Sequence, residues 1–405
     1  MTVVADATNL NMNNKYGQTN YRIQMFLLTT GHFLSDFYNN FLPGLLPVVM
    51  ASLGLSLTVS GLLVMVYAFT SSILQPVFGY YVDKNGYTWL LLVTIPISAI
   101  FICISSLAPS PALLFLFIAL AGLGSSLFHP LGSSLLSKIT PVHHKGLAMA
   151  VFIGGGNIGL AIAPAVVIYS VVQYGVYSLA WMILPAFAIT AGYYHYGTHR
   201  ITLAAPTREA GSVGPVWYKS SNILKLNAVM GLRSWSQVAI PTFLPVWVVQ
   251  QGQAPTLAAT MLTVYLGGGA IGSVIGGYLG DRFGRKNCII GSLAACLPAL
   301  YFFLTAGAVT PITWLLLFFS GGALQSALPA SIVWAQEMIP TNAAMASGMM
   351  LGLSFGLGGV GAAITGALAD IIGLQSALIW SLLPLALSIP LTYSIPKGNL
   401  PTKQP

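Results

Sequence analysis

His32, Asp36, Asn39 and Asn40 follow one another at spacings of four, three and one inside an otherwise apolar run. On a helix these spacings, continued to Pro43, put the side chains on one face. A carboxylate taken out of water binds its proton more tightly, and an imidazole titrates near neutrality, so the pair is suited to carry a proton. Asp36 lies fourteen residues beyond Arg22 (36 − 22), or ~21 Å of helical rise. A charge at that depth in an apolar helix costs at least ~2.5–3.5 kcal/mol, so it must face a partner or a wet cavity. The plainer alternative is an aspartate that only pairs with a neighbouring helix. A second histidine, His129 in Phe128-His129-Pro130, is either another proton carrier or a neutral, hydrogen-bonded side chain. Arg233 is the matching intrusion in the second half, with Gln237 and Pro241 at i+4 and i+8. A guanidinium grips an anionic group through paired hydrogen bonds. The competing reading is a permanent Asp36–Arg233 salt bridge. Trp235, Asn157, Asn39 and Asn40 complete the candidate substrate contacts, and His32 and His129 the candidate proton relay.

The elements that must position these residues are long apolar helices. The chain is 56% hydrophobic and only 5% charged, with a mean hydropathy of +0.81, outside the range of soluble domains. Apolar runs fall at roughly 21–50, 57–82, 88–107, 111–138, 146–172, 177–199, 222–250, 257–281, 286–308, 311–338, 342–370 and 374–395. Each is long enough to cross a hydrocarbon core of ~30 Å as a helix. No period-two alternation supports spanning strands. The expectation is an all-α membrane protein of twelve spans: a tail at 1–20, a six-helix bundle at 21–199, a linker at 200–221, a second bundle at 222–395 and a tail at 396–405. The Asn-rich residues 1–20 carry no signal-peptide pattern and read as a disordered tail.

The formal charge of +8 does not point to nucleic acid, because the basic residues are scattered between apolar spans. With the amino terminus inside, every Lys and Arg except Arg233 falls on the inner face. The opposite loops near 51–56, 108–110, 173–176, 251–256, 309–311 and 371–373 have none. By the positive-inside rule both termini are cytoplasmic. Cys103, Cys288 and Cys296 are dispersed and read as buried small hydrophobes. No convergent nucleophile or metal-ligand spacing is present, so no enzyme, metal or cofactor is expected. Three Gly-x-Gly-x-x-Gly runs, at Gly154, Gly267 and Gly356, lie inside apolar spans. They read as close helix packing rather than nucleotide loops.

Two charged loops repeat at half-chain distance. Gly79-Tyr-Tyr-Val-Asp83-Lys84-Asn85-Gly86 is echoed by Gly277-Tyr-Leu-Gly-Asp281-Arg282-Phe283-Gly284-Arg285-Lys286, with the aspartates 281 − 83 = 198 apart. Pro43 and Pro47 match Pro241 and Pro245 at the same offset, and Pro130 and Pro141 match Pro329 and Pro340 at 199. This is a duplication of six helices. Arg233 then matches Ser35 (233 − 198), one residue before Asp36. Glu337 ends its span where it can pair with Arg282 or Arg285, while its counterpart Lys138 (337 − 199) lies near Lys84 and cannot form such a latch. Asp370 reads as a local cap or pair, and His143 and His144 as solvated loop residues.

The repeated loop resembles the signature loop of the major facilitator superfamily, with Asn85 and Tyr87 departing from its usual further basic residue. Gly31-His32-Phe33 through Asp36, Phe128-His129-Pro130, Gly146-Leu147-Ala148 with Gly155-Gly156-Asn157 and Gly159, Arg233-Ser234-Trp235, and Gln336-Glu337 with Ala346-Ser347-Gly348 resemble the fosmidomycin-resistance family of efflux proteins. That resemblance covers roughly 25–395. It implies a monomer in a bacterial inner membrane that exports a small anionic or amphipathic compound by alternating access, driven by the proton gradient alone. A proton-coupled importer of a small organic anion needs the same acid and arginine, and a lipid or amphiphile flippase is the further alternative. A non-transporting sensor would need an output domain that neither tail is long enough to supply.

Overall fold

A computed structural model of the chain describes residues 3–141, 145–201, 220–339, 346 and 348–396, with the side chains of residues 3–20, 80, 83, 84 and 145–147 outside that description. Every element among the described residues is helical. Ten helical segments are long and apolar enough to cross a membrane. The other two of the twelve expected are the first and the seventh, and both depart for reasons tied to the site.

The first span is broken. α1 (Val3–Asn39) stops at Asn40 and α2 (Phe41–Leu53) resumes at once. Pro43 has no N–H for the carbonyl of Asn39 and its ring crowds that turn. Asn40, at φ −104° and ψ 19°, turns its amide Nδ2 to donate to the Leu160 carbonyl at 2.8 Å. The seventh span, α9 (Ser221–Gln250), carries the equivalent Pro241 and Pro245 without a break. There the position of Asn40 holds Val238 (238 − 198 = 40), which has no side-chain amide to compete for backbone partners. α9 is less apolar than those ten segments because Lys225, Asn227, Arg233 and Gln237 all lie within it. Residues 3–20, expected as a disordered tail, are helical and continuous with the first span.

The remaining spans follow in order. The second is α3 (Leu57–Ala68), a π-turn at Phe69–Ile73 and α4 (Gln75–Asn85). The third to sixth are α5 (Leu91–Ser105), α6 (Pro111–Ile139), α7 (Lys145–Tyr174) and α8 (Leu184–His195). After α9 come α10 (Pro255–Phe283), α11 (Arg285–Thr305) and α12 (Pro311–Met338). The eleventh span is a π-turn at Met349–Leu353 with α13 (Ser354–Ile372), and the twelfth is α14 (Leu374–Trp380) with α15 (Leu382–Tyr393). The linker at 202–219, His143, His144 and the tail from 397 lie outside the described residues.

The duplication shows in the caps. α6 and α12 each begin with a hydroxyl residue before proline: Ser110 accepts from the Leu113 amide and Thr310 from the Thr313 amide. Such residues satisfy amides that a helix start leaves unpaired, and proline at the first position loses nothing. Gly86 and Gly284, matched across the repeat, stand at φ 65° and 88°, conformations that favour glycine.

Within each half the helix of the site is central. α1 packs on α5, α6, α7 and α8, and α9 on α10, α12, α13 and α15. The halves meet through α2 with α9, α3 with α13, and α7 with α10. The glycine runs make these approaches possible, as the sequence suggested. A methyl on Gly159 would strike the Phe33 carbonyl, and one on Gly358 would lie 2.5 Å from the Ser234 carbonyl. Gly154 and Gly267 face open space and have no such role.

Candidate functional site

Asp36 sits between two histidines. Its Oδ2 lies 3.3 Å from His32 Nε2, one turn earlier on α1, and its Oδ1 lies 3.4 Å from His129 Nε2 on α6. His32 and Asp36 are buried, and His129 is half-buried. A third helix completes the arrangement: the Phe152 carbonyl of α7 lies 2.7 Å from His32 Nδ1, and the Phe152 ring stacks on the imidazole at 4.1 Å. A single glycine makes the space, because a methyl on Gly156 would lie 2.8 Å from His32 Cε1 and would strike Asp36 Oδ2.

This geometry constrains the tautomer of His32. A carbonyl can only accept, so His32 Nδ1 donates its N–H to Phe152. A neutral His32 would then turn the lone pair of Nε2 toward a charged carboxylate. A proton placed between Nε2 and the carboxylate would turn that repulsion into a hydrogen bond. The three donor atoms lie within 4.8 Å of one another, a grouping that metal ligands also show.

Arg233 is fully buried and held inside its own half. Its Nε donates to the Leu324 carbonyl at 2.8 Å, and one terminal nitrogen donates to Gln325 at 2.9 Å and to Gln237 at 3.3 Å. The other terminal nitrogen, Nη1, is buried with no hydrogen-bond partner among the described residues, as is the Tyr265 hydroxyl. The Asp36–Arg233 salt bridge considered from the sequence is not made: all four ion pairs among the described residues stay within one half. Each charge instead turns to the fourth helix of its own bundle, α6 for Asp36 and its repeat α12 for Arg233.

The other candidates divide. Gln237 faces Arg233, and Asn40 is spent on the Leu160 carbonyl beside the helix break. The carbonyl oxygen of the Asn39 side chain is buried without a partner. Asn157 is half-buried, directly after Gly156. Trp235 gives its one donor to Thr365 at 2.9 Å, and its ring lies where a Gly361 methyl would go. It therefore fastens α9 to α13. Phe152, Leu324 and Gln325 belong to the site and were not singled out from the sequence. Gln325 could have been found as an amide inside an apolar span; the other two act through backbone carbonyls, which carry no residue-type signal.

On the basic face, Arg285 joins Asp281, one turn before it, and Glu337 at 3.4 Å. Arg282, the other expected partner of Glu337, instead donates to Tyr278 at 3.2 Å. Lys286 donates to the Tyr393 and Ile395 carbonyls at 2.8 and 2.6 Å, closing the end of α15. Gly79 rests against Pro130 at the distance a methyl would make tight, 3.3 Å, whereas its repeat Gly277 faces open space. The side chains of Asp83 and Lys84 lie outside the described residues. Asp370 is not a local cap: its carboxylate accepts from residues of α3 in the other half.

Comparisons with known proteins agree with this architecture. The family model of the Major Facilitator Superfamily matches residues 28–254 and 226–405. The fosmidomycin resistance protein of Escherichia coli (strain K12) is 30% identical over 352 residues, 85% of either chain. The uncharacterized MFS-type transporter YfnC of Bacillus subtilis (strain 168) is 30% identical over 374 residues, 90% of either chain. Among solved structures, an inward-facing bacterial homolog of the human lysosomal transporter Spinster superposes with a TM-score of 0.76 at 12% identity, covering 93% of this chain and 96% of that one. The nucleoside transporter NupG gives a TM-score of 0.72 at 15% identity, covering 92% and 99%. The chain belongs to the Major Facilitator Superfamily and is a multi-pass membrane transporter, not an enzyme.

Proposed function

We propose that the protein is a proton-coupled exporter of a small anionic or amphipathic compound, working by alternating access in a bacterial inner membrane with both termini cytoplasmic. The observation that carries this reading is the Asp36 group, where a carboxylate lies 3.3 and 3.4 Å from two imidazole nitrogens and one imidazole is already committed as a donor on its far side. Such a group holds a proton in one state and releases it when the helices around it move. α1, α6 and α7 supply its parts, so sliding any of them against the others changes its affinity for the proton.

Arg233 supplies the substrate contact in the other half. A buried N–H without an acceptor costs about 1–3 kcal/mol, and more when it is charged. Nη1 is such a group, so a ligand that brings an oxyanion to it recovers that cost. Gln237 and Gln325 hold the guanidinium plane in place for it. Proton and substrate then bias one rocking equilibrium from separate halves, with no salt bridge between Asp36 and Arg233 required.

Direction is tested in inside-out membrane vesicles energised with an imposed pH gradient, with fosmidomycin as the first compound because a 30% identical relative is named for resistance to it. Uptake into such vesicles, abolished by collapsing the gradient, is expected of an exporter. Accumulation only in right-side-out vesicles would instead support an importer of a small organic anion. That second reading draws on more distant relatives, a hexuronate transporter of Escherichia coli at 22% identity and a probable sulfoacetate transporter of Cupriavidus necator at 24%.

A further inference from the structure

The first amides of a helix have no partner within it and need an acceptor from outside. At the start of α3, Ser56 takes care of one: its hydroxyl accepts from Val59 at 3.2 Å, while Ser60 already reaches the Ser56 carbonyl at 3.1 Å. The two amides left over, Leu57 and Thr58, both go to Asp370, at 3.0 and 2.8 Å, and the Thr58 hydroxyl adds a third bond at 2.6 Å. Asp370 belongs to α13, in the opposite half of the duplication. The cap of α3 is therefore completed in trans, by a carboxylate placed at the positive end of the helix dipole.

The surrounding contacts are built to bring these groups together. One turn before Asp370, Gly366 lies so close to the Leu57 carbonyl that a methyl would strike it. Further along, a methyl on Gly61 would meet the Ala362 carbonyl at 2.6 Å. This all occurs at the face whose loops have neither Lys nor Arg. Both spans of the pair are also interrupted farther in, by π-turns at Phe69–Ile73 and Met349–Leu353, and Gly352 of one approaches the Ser72 carbonyl of the other. A π-turn disturbs the regular i→i−4 ladder, which makes it a place where a helix changes direction.

We propose that Asp370 is a positioning residue of the transport cycle: it locks the lysine- and arginine-free gate by capping α3 from the other half, and each cycle releases it. The proposal rests on the alternating-access reading above. The lock suits a gate because its carboxylate is exposed at the membrane face, against a half-buried Thr58 and a buried Leu57. On opening, both the carboxylate and the two amides are taken up by water, so the contact biases the equilibrium without freezing it.

Double electron–electron resonance on the full chain in lipid nanodiscs tests this. Nitroxides are placed through Gln173→Cys and Val309→Cys, both exposed on that face in opposite halves, and the three native cysteines are buried. Two distance populations are expected. Asp370→Ala is expected to raise the ratio of long to short distances about fivefold, the typical effect of removing a helix cap. Thr58→Val, which keeps both amide bonds, moves the ratio the same way by less. If both populations are present and neither substitution moves their ratio, the lock is refuted while alternating access stands. If one distance is found at every pH from 5 to 8, alternating access fails and the lock with it. Both substituted residues are exposed or at a helix end, and retention of the wild-type melting temperature separates a shifted gate from a damaged fold.

Discussion

Gly156→Ala places one methyl group where the proton site has no room for it. The added carbon would lie 2.8 Å from His32 Cε1 and 2.9 Å from Nε2, and closer still to Asp36 Oδ2, whereas ordinary contact begins near 3.4 Å. The imidazole must withdraw by about 0.6 Å (3.4 − 2.8) and the carboxylate by more. Both are ends of side chains, so α1 and α7 need not separate. Opening the 3.3 Å His32–Asp36 ion contact by a similar amount takes it to ~3.9 Å, the edge of a direct ion pair. Losing a close charge-assisted contact costs about 1.5–3 kcal/mol, which corresponds to at least about a tenfold change in rate. The assay is gradient-driven transport in proteoliposomes across pH 5 to 8, the range in which such groups titrate, alongside the melting temperature and substrate affinity in detergent. The expected outcome is a displaced pH profile and a transport rate at least about tenfold lower, with the fold and substrate affinity retained. Wild-type rate and pH profile in Gly156→Ala would refute the argument that Gly156 makes space for the proton site.

Arg233→Lys keeps the charge but loses the planar fork that Leu324, Gln237 and Gln325 hold. Affinity for anionic substrates is expected to fall at least about tenfold, the cost of one charged hydrogen bond, while proton-site variants leave it alone; isothermal titration checks this, and unchanged affinity would remove Arg233 from the substrate site. Asp281→Asn removes a partner of Arg285 at an exposed position. Exposed pairs contribute ~0–1 kcal/mol to stability, so melting should hardly change while cycling slows; a wild-type transport rate would leave the loop as packing only.

Much of the fold was legible because hydropathy is summed over twenty residues at a time, and so is hardly disturbed by any one of them. The two spans that depart from it do so through polar and proline residues: Asn40 and Pro43 at the break of α1–α2, and Lys225, Asn227, Arg233 and Gln237 in α9. His32 and Asp36 could be paired from their spacing alone, since one turn of helix separates them. Their meeting with His129 could not, because it depends on how α6 is rotated against α1. For the same reason the sequence could place Arg233 and Asp36 at neighbouring repeat positions without showing that each turns to its own bundle. A shift of one residue rotates a side chain by about 100° around a helix, enough to change its partner. Asp370 was read as local because its partners are backbone amides, which look alike at every position in a sequence. The proline pair of α2 and α9 was equally visible in both halves. The neighbouring Asn40, with Val238 in its place in the repeat, is the difference whose side chain takes a backbone partner at the break.

The account depends most on Asp36 as the coupling group, and Asp36→Asn tests it by fixing a neutral side chain of nearly the same shape. Two modes of transport are compared in the same proteoliposomes. Uphill accumulation is driven by an imposed pH gradient; counterflow exchanges labelled for unlabelled substrate with no net proton movement. Asp36→Asn is expected to lose accumulation and retain counterflow, with the dependence of counterflow on pH flattened between about 5 and 8. If Asp36→Asn still concentrates substrate against its gradient, Asp36 is structural and the proton is carried elsewhere.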